Sequence, residues 1–417
     1  MNLATALPAI VTAFMAGILG SGHCFGMCGG IAGGFGAISG AARNEAKLIP
    51  SLVFNLGRLC SYMLLGAIVA LLLGSSGEQI TAETIDPVMY EQFLEARFLM
   101  RRRSDDAIQK AIDRLEPVVK AEPRFARGLI MLAEAYLLSS GSMDEATTTR
   151  RTDNAKSLAE AALAINPGLA GGFMILGWLA DEPLAQYENL RRAVELDLDE
   201  PRPHHWLARQ LSFSGHLDEA LEQINEAVRL EPTNANAHGW RSTVLAATGN
   251  LDAAVKDALL QAELGNPTVG HPQAALYHIM GNDFSAAEDE MKKAINAGFA
   301  GKEIFPVMIA ALYGEEKERE RLASLLERGT QFEYFLLVEM LALNMHDEYL
   351  GHQLAAEEPS VGPTVVWHSN QRAMRADPRF VELVEKSKLN DLWREIGPPP
   401  DCRVNGDSFV CGLGGSN

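Results

Sequence analysis

The pattern of hydrophobic residues changes once along the chain, near residue 75. Before that point, residues 3–42 and 51–74 are almost uninterrupted runs of apolar and small residues. After it, apolar residues recur at intervals of three and four, between charged residues. An apolar run of about 20 residues predicts a membrane-spanning helix, and the later spacing predicts amphipathic helices. The sequence therefore predicts an all-α chain in which two transmembrane helices precede a helical array.

The distribution of charge predicts how the membrane segment is oriented. Arg43, Lys47 and Arg58 lie between the two apolar stretches or just inside the second, and acidic residues follow it. The positive-inside rule then predicts a cytoplasmic loop with both flanks on the opposite side, so in a bacterial inner membrane the array would be periplasmic. A cleavable signal peptide is the competing interpretation, but it requires a basic N-terminal region, and the first charged side chain here is Arg43.

Internal similarity dominates residues 90–300. The clearest unit, residues 202–232, is predicted to form two amphipathic helices separated by a turn at Gly215. A shift of 34 residues places Gly215 on Gly249, within a second unit of the same kind. A helix–turn–helix unit of this length is the signature of tetratricopeptide repeats. Such repeats stack into an α-solenoid that binds partner peptides or proteins in a groove.

These patterns also predict where the segments of the chain begin and end. One repeat is longer than the others, and we predict an insertion near residues 142–153. The predicted segments are a two-helix membrane part at 1–76, a linker at 77–86, tetratricopeptide repeats at 87–300, degenerate helical repeats or a cap at 301–396, and an irregular tail at 397–417.

Composition narrows the function. The net charge is −18, and an acidic chain is poorly suited to nucleic acid, which requires a basic face. The sequence shows no Ser-His-Asp arrangement, phosphate-binding glycine loop or HExxH motif, so we predict that the chain is not an enzyme. The groove is predicted to take a protein or peptide ligand.

The cysteines form two groups. Cys24 and Cys28, with His23 beside them, lie in the run SGHCFGMCGG inside the first apolar stretch. Residues four apart share a helix face, so this pair suits a soft metal such as Cu(I), or thiol–disulfide exchange. The alternative is that both cysteines pack as small apolar residues, because the surrounding glycines favour close helix packing and oligomerisation. Cys402 and Cys411 bracket a polar segment and would close a small disulfide loop in an oxidising compartment.

The N-terminal motifs resemble a known membrane family. SGHCFGMCGG, followed by FNLGRLCSYMLLGAI, is similar to the first two helices of the sulfite-exporter (TauE/SafE) and urease-accessory-like family, which is related to the membrane core of the thiol reductant DsbD. The matching residues are His23, Cys24, Cys28, Asn55 and Arg58. The resemblance implies movement of metals, sulfur compounds or reducing equivalents across a membrane. The family has more spans than the two predicted here, so we interpret the segment as a truncated, transporter-like piece: an anchor descended from a transporter, or the product of a gene fusion or truncation.

The repeats resemble a second group of proteins. AEPRFARGLIMLAEAYL and RADPRFVELVEKSKLNDLWR are similar to the tetratricopeptide regions attached to bacterial winged-helix regulators and class III adenylate cyclases. The resemblance implies a C-terminal segment with a tryptophan and two cysteines that closes the array. Trp393, Cys402 and Cys411 match that segment. The resemblance covers the repeats alone, so it carries neither DNA binding nor cyclase activity.

Single residues within the repeats support two further predictions. Trp178, Trp206 and Trp240 fall in or near first helices, where core packing is expected and groove lining is the alternative. His204 and His205 follow Pro203 and are expected in a solvated first turn.

Taken together, the sequence predicts a membrane-anchored protein–protein interaction module. The alternative is a metal or thiol/sulfur-compound transport or redox protein that uses Cys24 and Cys28.

Overall fold

The computed structural model describes residues 85–101, 105–139, 144–299 and 343–412, with isolated positions between 317 and 341. The predicted membrane helices, together with His23, Cys24 and Cys28, lie outside these residues. None of the helices within the described ranges has both the length and the apolar character needed to cross a membrane.

The described residues before position 300 form helices that pair in chain order, each packing mainly against its neighbours in the chain. This arrangement confirms the predicted tetratricopeptide-type solenoid. The helices are α1 Pro87–Met100, α2 Asp105–Ala121, α3 Ala126–Ser139, α4 Glu145–Ile165, α5 Ala170–Leu179, α6 Pro183–Leu196, α7 Pro201–Phe213, α8 Leu217–Leu230, α9 Ala235–Ala247, α10 Leu251–Glu263, α11 Pro267–Met280 and α12 Phe284–Asn296.

The turn within each later pair ends the first helix in the same way. Gly215 and Gly249 have φ values of 87° and 86°, and Asn282 takes the equivalent place with φ 62°. The following residue donates its backbone N–H five residues back, as His216 does to the Leu211 carbonyl at 3.0 Å. This Schellman geometry satisfies the last carbonyls of the helix and requires a residue that tolerates positive φ. The predicted turn at Gly215 is therefore confirmed.

Small residues set the spacing between the helices. Ala193, Ala220, Ala227 and Ala254 are completely or almost completely buried where the two helices of a pair meet. A methyl side chain lets helix backbones approach closely, which explains why alanine rather than leucine recurs at these positions. The longer repeat differs at its second helix, because α4 has 21 residues and includes most of the predicted insertion.

The C-terminal part of the chain has a different architecture. We call residues 361–412 the clasp. Within residues 343–412 the elements are α13 His346–Ala355, the 3₁₀ turns Thr364–Trp367 and Ser369–Gln371, α14 Arg372–Arg375, α15 Pro378–Lys386, α16 Leu389–Ile396, β1 Arg403–Asn405 and β2 Ser408–Val410.

The tail is predicted to be irregular, but it contains an antiparallel hairpin. Arg403 pairs with Val410 and Asn405 with Ser408, so Gly406 and Asp407 form the loop. Gly406 has φ 64°, the conformation that short hairpin loops need. The hairpin departs from the predicted all-α class, and the turn residues Asn-Gly-Asp explain it.

The clasp packs against the middle of the array, at the turn between α7 and α8. The indole N–H of Trp393 donates to the Ser214 carbonyl at 3.0 Å, and that of Trp367 donates to the Phe213 carbonyl at 3.2 Å. His216 Nε2 lies 2.8 Å from the Gly397 carbonyl oxygen. These contacts join residues that are far apart in sequence, so they hold the clasp on the array independently of the stacking of neighbouring repeats.

A buried arginine organises the clasp internally. Arg375 is only 2 % exposed and donates to Asp401 through Nε at 2.8 Å and Nη2 at 2.5 Å. Its Nη1 donates to the carbonyls of Val366 and His368. Burial lowers the pKa of Arg375, and the Asp401 carboxylate opposes that effect. The guanidinium therefore ties the 3₁₀ turns to the segment that enters the hairpin.

Three histidines make an equivalent contact in successive repeats. His204 Nδ1 lies 2.8 Å from Gln223 Oε1, and His238 Nδ1 lies 3.2 Å from Asp257 Oδ1. His271 Nδ1 lies 2.7 Å from a Glu290 oxygen, and the partner is 19 residues later in each case. His204 is buried, so the predicted solvated turn is wrong for this residue. His204 lies on the side of α7 that packs against α8, so it is shielded from solvent.

Asp257 also accepts two hydrogen bonds from Arg241, and this arrangement leads to a pH prediction. Burial raises the pKa of Asp257, but hydrogen bonds from Arg241 and His238 outweigh burial and leave that pKa below its ordinary value of 3.8. A carboxylate with a depressed pKa stabilises the fold above about pH 4, and this contribution is lost as the pH falls through the folded pKa. We expect Asp257→Asn to lower the free energy of unfolding by about 2 kcal/mol at neutral pH. The variant should also lose less of its stability than wild type as the pH falls.

The matched control for that measurement is Asp252→Asn, which changes an exposed carboxylate on the same helix. Urea unfolding between about pH 2 and pH 7, followed by circular dichroism, measures both variants. If the free energy of unfolding fell by the same amount with pH in wild type and in Asp257→Asn, the role assigned to Asp257 would be wrong.

Candidate functional site

The first helices of successive pairs form one continuous face of the array. Helix α5 contacts α7, α7 contacts α9, and α9 contacts α11. We call the side of α5, α7 and α9 that lies away from their second helices the groove face. On α7 the buried residues Leu207, Ala208 and Leu211 face the core. Four half-buried residues of α7 follow one another at helical spacing on the groove face: His205, Trp206, Arg209 and Phe213.

Aromatic side chains from three repeats meet on this face. The ring centroids of Trp178 on α5 and Trp206 on α7 lie 3.8 Å apart. Phe213 on α7 meets Trp240 on α9 edge to face, at 5.6 Å. All three tryptophans pack against core residues on one side, in agreement with the core prediction. Each is nevertheless half-buried and not fully buried, which favours the groove-lining alternative.

His205 belongs to the same cluster. Its ring lies 5.9 Å from that of Trp206 and 6.3 Å from that of Trp240, centroid to centroid. The predicted solvated turn therefore holds only in part for His205, which is half-buried among aromatic rings.

Arg209 lies at the centre of the cluster. Its guanidinium carbon lies 5.1 Å from the ring centroid of Trp206, 5.2 Å from that of Phe213 and 5.5 Å from that of Trp240. Cation–π attraction at these distances stabilises the charge. Burial nevertheless lowers the pKa of Arg209. Within the described ranges, no carboxylate or hydrogen-bond acceptor pairs with this guanidinium.

The other two arginines on α7 and α9 are neutralised. Arg202 donates to Glu134 and, at 2.7 Å, to Glu200, and the Glu134 charge raises the pKa of Arg202. Arg241 donates to Asp257 through Nε at 2.5 Å and Nη2 at 2.7 Å. Arg209 is therefore the exception on this part of the groove face.

The sequence-predicted site residues have different outcomes. Cys402 and Cys411 form a disulfide that joins the two ends of the hairpin, and both sulfur-bearing residues are buried. His23, Cys24 and Cys28 lie outside the described residues, so their metal or thiol role stays a prediction. Over the residues that the structure describes, no three His, Cys, Asp or Glu side chains come together as a metal site.

Arg209 was not singled out from the sequence, although a signal was present. Arg202, Trp206, Arg209 and Phe213 follow one another at intervals of three and four, which places them on one helix face. What the spacing does not show is which arginine finds a carboxylate on another helix.

Two stretches of the chain match protein families. Residues 206–268 match the tetratricopeptide repeat. This part of the chain is a tetratricopeptide repeat region. Residues 12–95 match the cytochrome c biogenesis protein transmembrane region, which supports the predicted DsbD-type resemblance and indicates a membrane protein. The sulfite-exporter resemblance stays a prediction. No curated protein sequence matches the chain at a significant level.

Several solved structures are similar to the repeats. MamA is 21% identical over 39% of this chain and 91% of its own, with a TM-score of 0.28. YrrB, whose structure is described as a tetratricopeptide protein with an unusual peptide-binding site, is 19% identical over 51% and 94%, with a TM-score of 0.27. A thermophilic tetratricopeptide protein from Thermus thermophilus is 19% identical over 53% and 98%, with a TM-score of 0.28. Likeness at this level does not identify a ligand.

Proposed function

We propose that the protein is a membrane-anchored interaction module that binds a partner protein or peptide on its groove face. The observation that carries the proposal is the half-buried cluster of Trp178, Trp206, Arg209 and Trp240, which spans three repeats. Tryptophan and arginine dominate the energetic hot spots of protein interfaces. Their arrangement on one face of a rigid solenoid suits recognition by shape and charge, without catalysis.

The anchor is the second part of the proposal. The family match to a transmembrane region ends at residue 95, so the matched region overlaps α1, the first helix of the array, in sequence. Tethering confines the groove to the membrane surface and raises its effective concentration for membrane partners. Glycine-rich membrane helices would also allow oligomerisation.

We place the array on the periplasmic side of a bacterial inner membrane. The Cys402–Cys411 disulfide supports this side, because disulfides persist in oxidising compartments. Alkylation of intact cells with and without reductant, followed by peptide mass spectrometry, tests it. We expect Cys402 and Cys411 to be alkylated only after reduction. Free thiols at both positions in untreated cells would place the array in the cytoplasm.

Affinity purification of the full-length protein from crosslinked membranes tests the binding proposal. Trp206→Ala removes a groove ring, and Tyr187→Ala removes a half-buried ring from α6 as a matched control. We expect a defined set of partners with wild type and Tyr187→Ala, reduced at least tenfold with Trp206→Ala. Unchanged recovery with a correctly folded Trp206→Ala variant would refute binding through the groove face.

A second candidate function is favoured by the match at residues 12–95, which contains Cys24 and Cys28. In this case the two thiols would bind a soft metal or exchange disulfides, and the repeats would recruit a client. Competition with the Cu(I) chelator bathocuproine disulfonate measures Cu(I) binding by the full-length protein. Tight binding that is lost in both Cys24→Ser and Cys28→Ser would favour this candidate. Wild-type behaviour of both variants would argue against it.

A further inference from the structure

We propose that the groove face recognises a carboxylate-bearing peptide segment, with the carboxylate on the Arg209 guanidinium and a neighbouring apolar or aromatic side chain on the rings of Trp206 and Trp240. The inference rests on the proposed function, because it names the chemistry of the ligand that the same site would take.

The first step of the argument is charge. Arg202 and Arg241 each have a carboxylate partner on another helix, whereas Arg209 has none within the described ranges. Burial removes the Arg209 guanidinium from water, which disfavours its charged form and lowers the pKa of Arg209. A ligand carboxylate would restore the missing interaction as a charge-assisted hydrogen bond.

The second step is the supply of hydrogen-bond donors. A guanidinium carries five N–H donors, and aromatic rings are at most weak acceptors. The three rings around Arg209 lie 5.1–5.5 Å from its central carbon and stabilise the charge, and among the residues that the structure describes its N–H groups have no acceptor. The planar fork of these groups matches the two oxygens of a carboxylate. The rings also hold the side chain in place, which reduces the entropy lost when the ligand binds.

The third step concerns the rest of the ligand. Trp206 and Trp240 flank Arg209 and are both half-buried, so part of each ring remains open to a ligand. The clasp bounds the site at the end of α7, where Thr364 Oγ1 lies 3.1 Å from Ser212 Oγ and Trp367 binds the Phe213 carbonyl. A carboxylate next to an apolar side chain would satisfy the charge and the rings together. The ligand is therefore an acidic peptide with apolar neighbours.

The experiment uses fluorescein-labelled peptides that alternate phenylalanine with either aspartate or asparagine. Binding to the full-length protein in detergent micelles is followed by fluorescence anisotropy. We expect wild type to bind the aspartate peptide at least tenfold more tightly than the asparagine peptide. Arg209→Gln should abolish that preference. The matched control, Arg191→Gln, removes an exposed arginine that lies over Tyr187 and beside Glu195 on α6, and it should keep the preference.

Other results would overturn the inference. Equal binding of the two peptides by wild type, or a preference that survives Arg209→Gln, would show that the carboxylate is not recognised here. Displacement of the aspartate peptide by millimolar inorganic phosphate would identify a small-anion site instead. In either case, loss of partners with Trp206→Ala would still support the groove as the interaction face, so the two proposals fail separately.

Discussion

Replacing Gly270 by alanine is expected to destabilise the array by about 3 kcal/mol, because no space exists for a methyl group. A Cβ atom at this position would lie 2.4 Å from the Ala258 carbonyl oxygen and 2.6 Å from the Ala262 nitrogen. Both atoms belong to the backbone of α10, so relief requires α10 and α11 to separate. Chemical unfolding of the full-length protein, followed by circular dichroism, measures the loss.

The matched control is Gly351→Ala on α13, where the added methyl group would have no neighbouring atom within 4 Å outside its own helix turn. Alanine is a better helix former than glycine, so this change should raise the free energy of unfolding by about 0.5–1 kcal/mol. A Gly270→Ala variant as stable as wild type would contradict the conclusion that α10 and α11 leave no space for a methyl group.

Replacing Trp393 by alanine is the second change with a large expected effect, a loss of about 4 kcal/mol. The side chain is 1 % exposed, and its ring packs edge to face against Trp367 at 6.0 Å and Phe409 at 5.2 Å. Its N–H also supplies the hydrogen bond to Ser214 that joins the clasp to the array. The variant loses both the packing and this anchor, so the clasp should become sensitive to limited proteolysis.

Trp393→Phe separates the two contributions. It keeps most of the ring and removes the N–H donor, leaving the Ser214 carbonyl unpaired, so we expect a smaller loss of about 1–2 kcal/mol. A loss below about 1 kcal/mol for Trp393→Ala, with an intact clasp in proteolysis, would mean that Trp393 does not hold the clasp on the array.

The repeats were predictable because local rules fix them. Gly215 and Gly249 mark equivalent turns, and the buried alanines recur with the same period. The hairpin had a usable signal in Asn405, Gly406 and Asp407, although the segment was expected to be irregular. The burial of His204 also had a signal, since His238 recurs 34 residues later and each has a polar partner 19 residues ahead.

The clasp and the candidate site depend on contacts that no local pattern specifies. Trp393 bonds to Ser214, and nothing in either segment alone indicates that they meet. Arg209 follows the same helical spacing as Arg202, so the sequence places both on one face. Only contacts with other helices of the array decide that Arg202 is paired with Glu134 while Arg209 lies among aromatic rings.

Site-specific photo-crosslinking in intact membranes tests the central claim most directly. Benzoylphenylalanine replaces Trp206 on the groove face in one sample and Glu222, an exposed residue on α8, in the other. We predict that position 206 forms a covalent adduct of defined mass with a partner protein and that position 222 does not. Adducts of equal yield at both positions, or an adduct at position 222 alone, would contradict binding on the groove face.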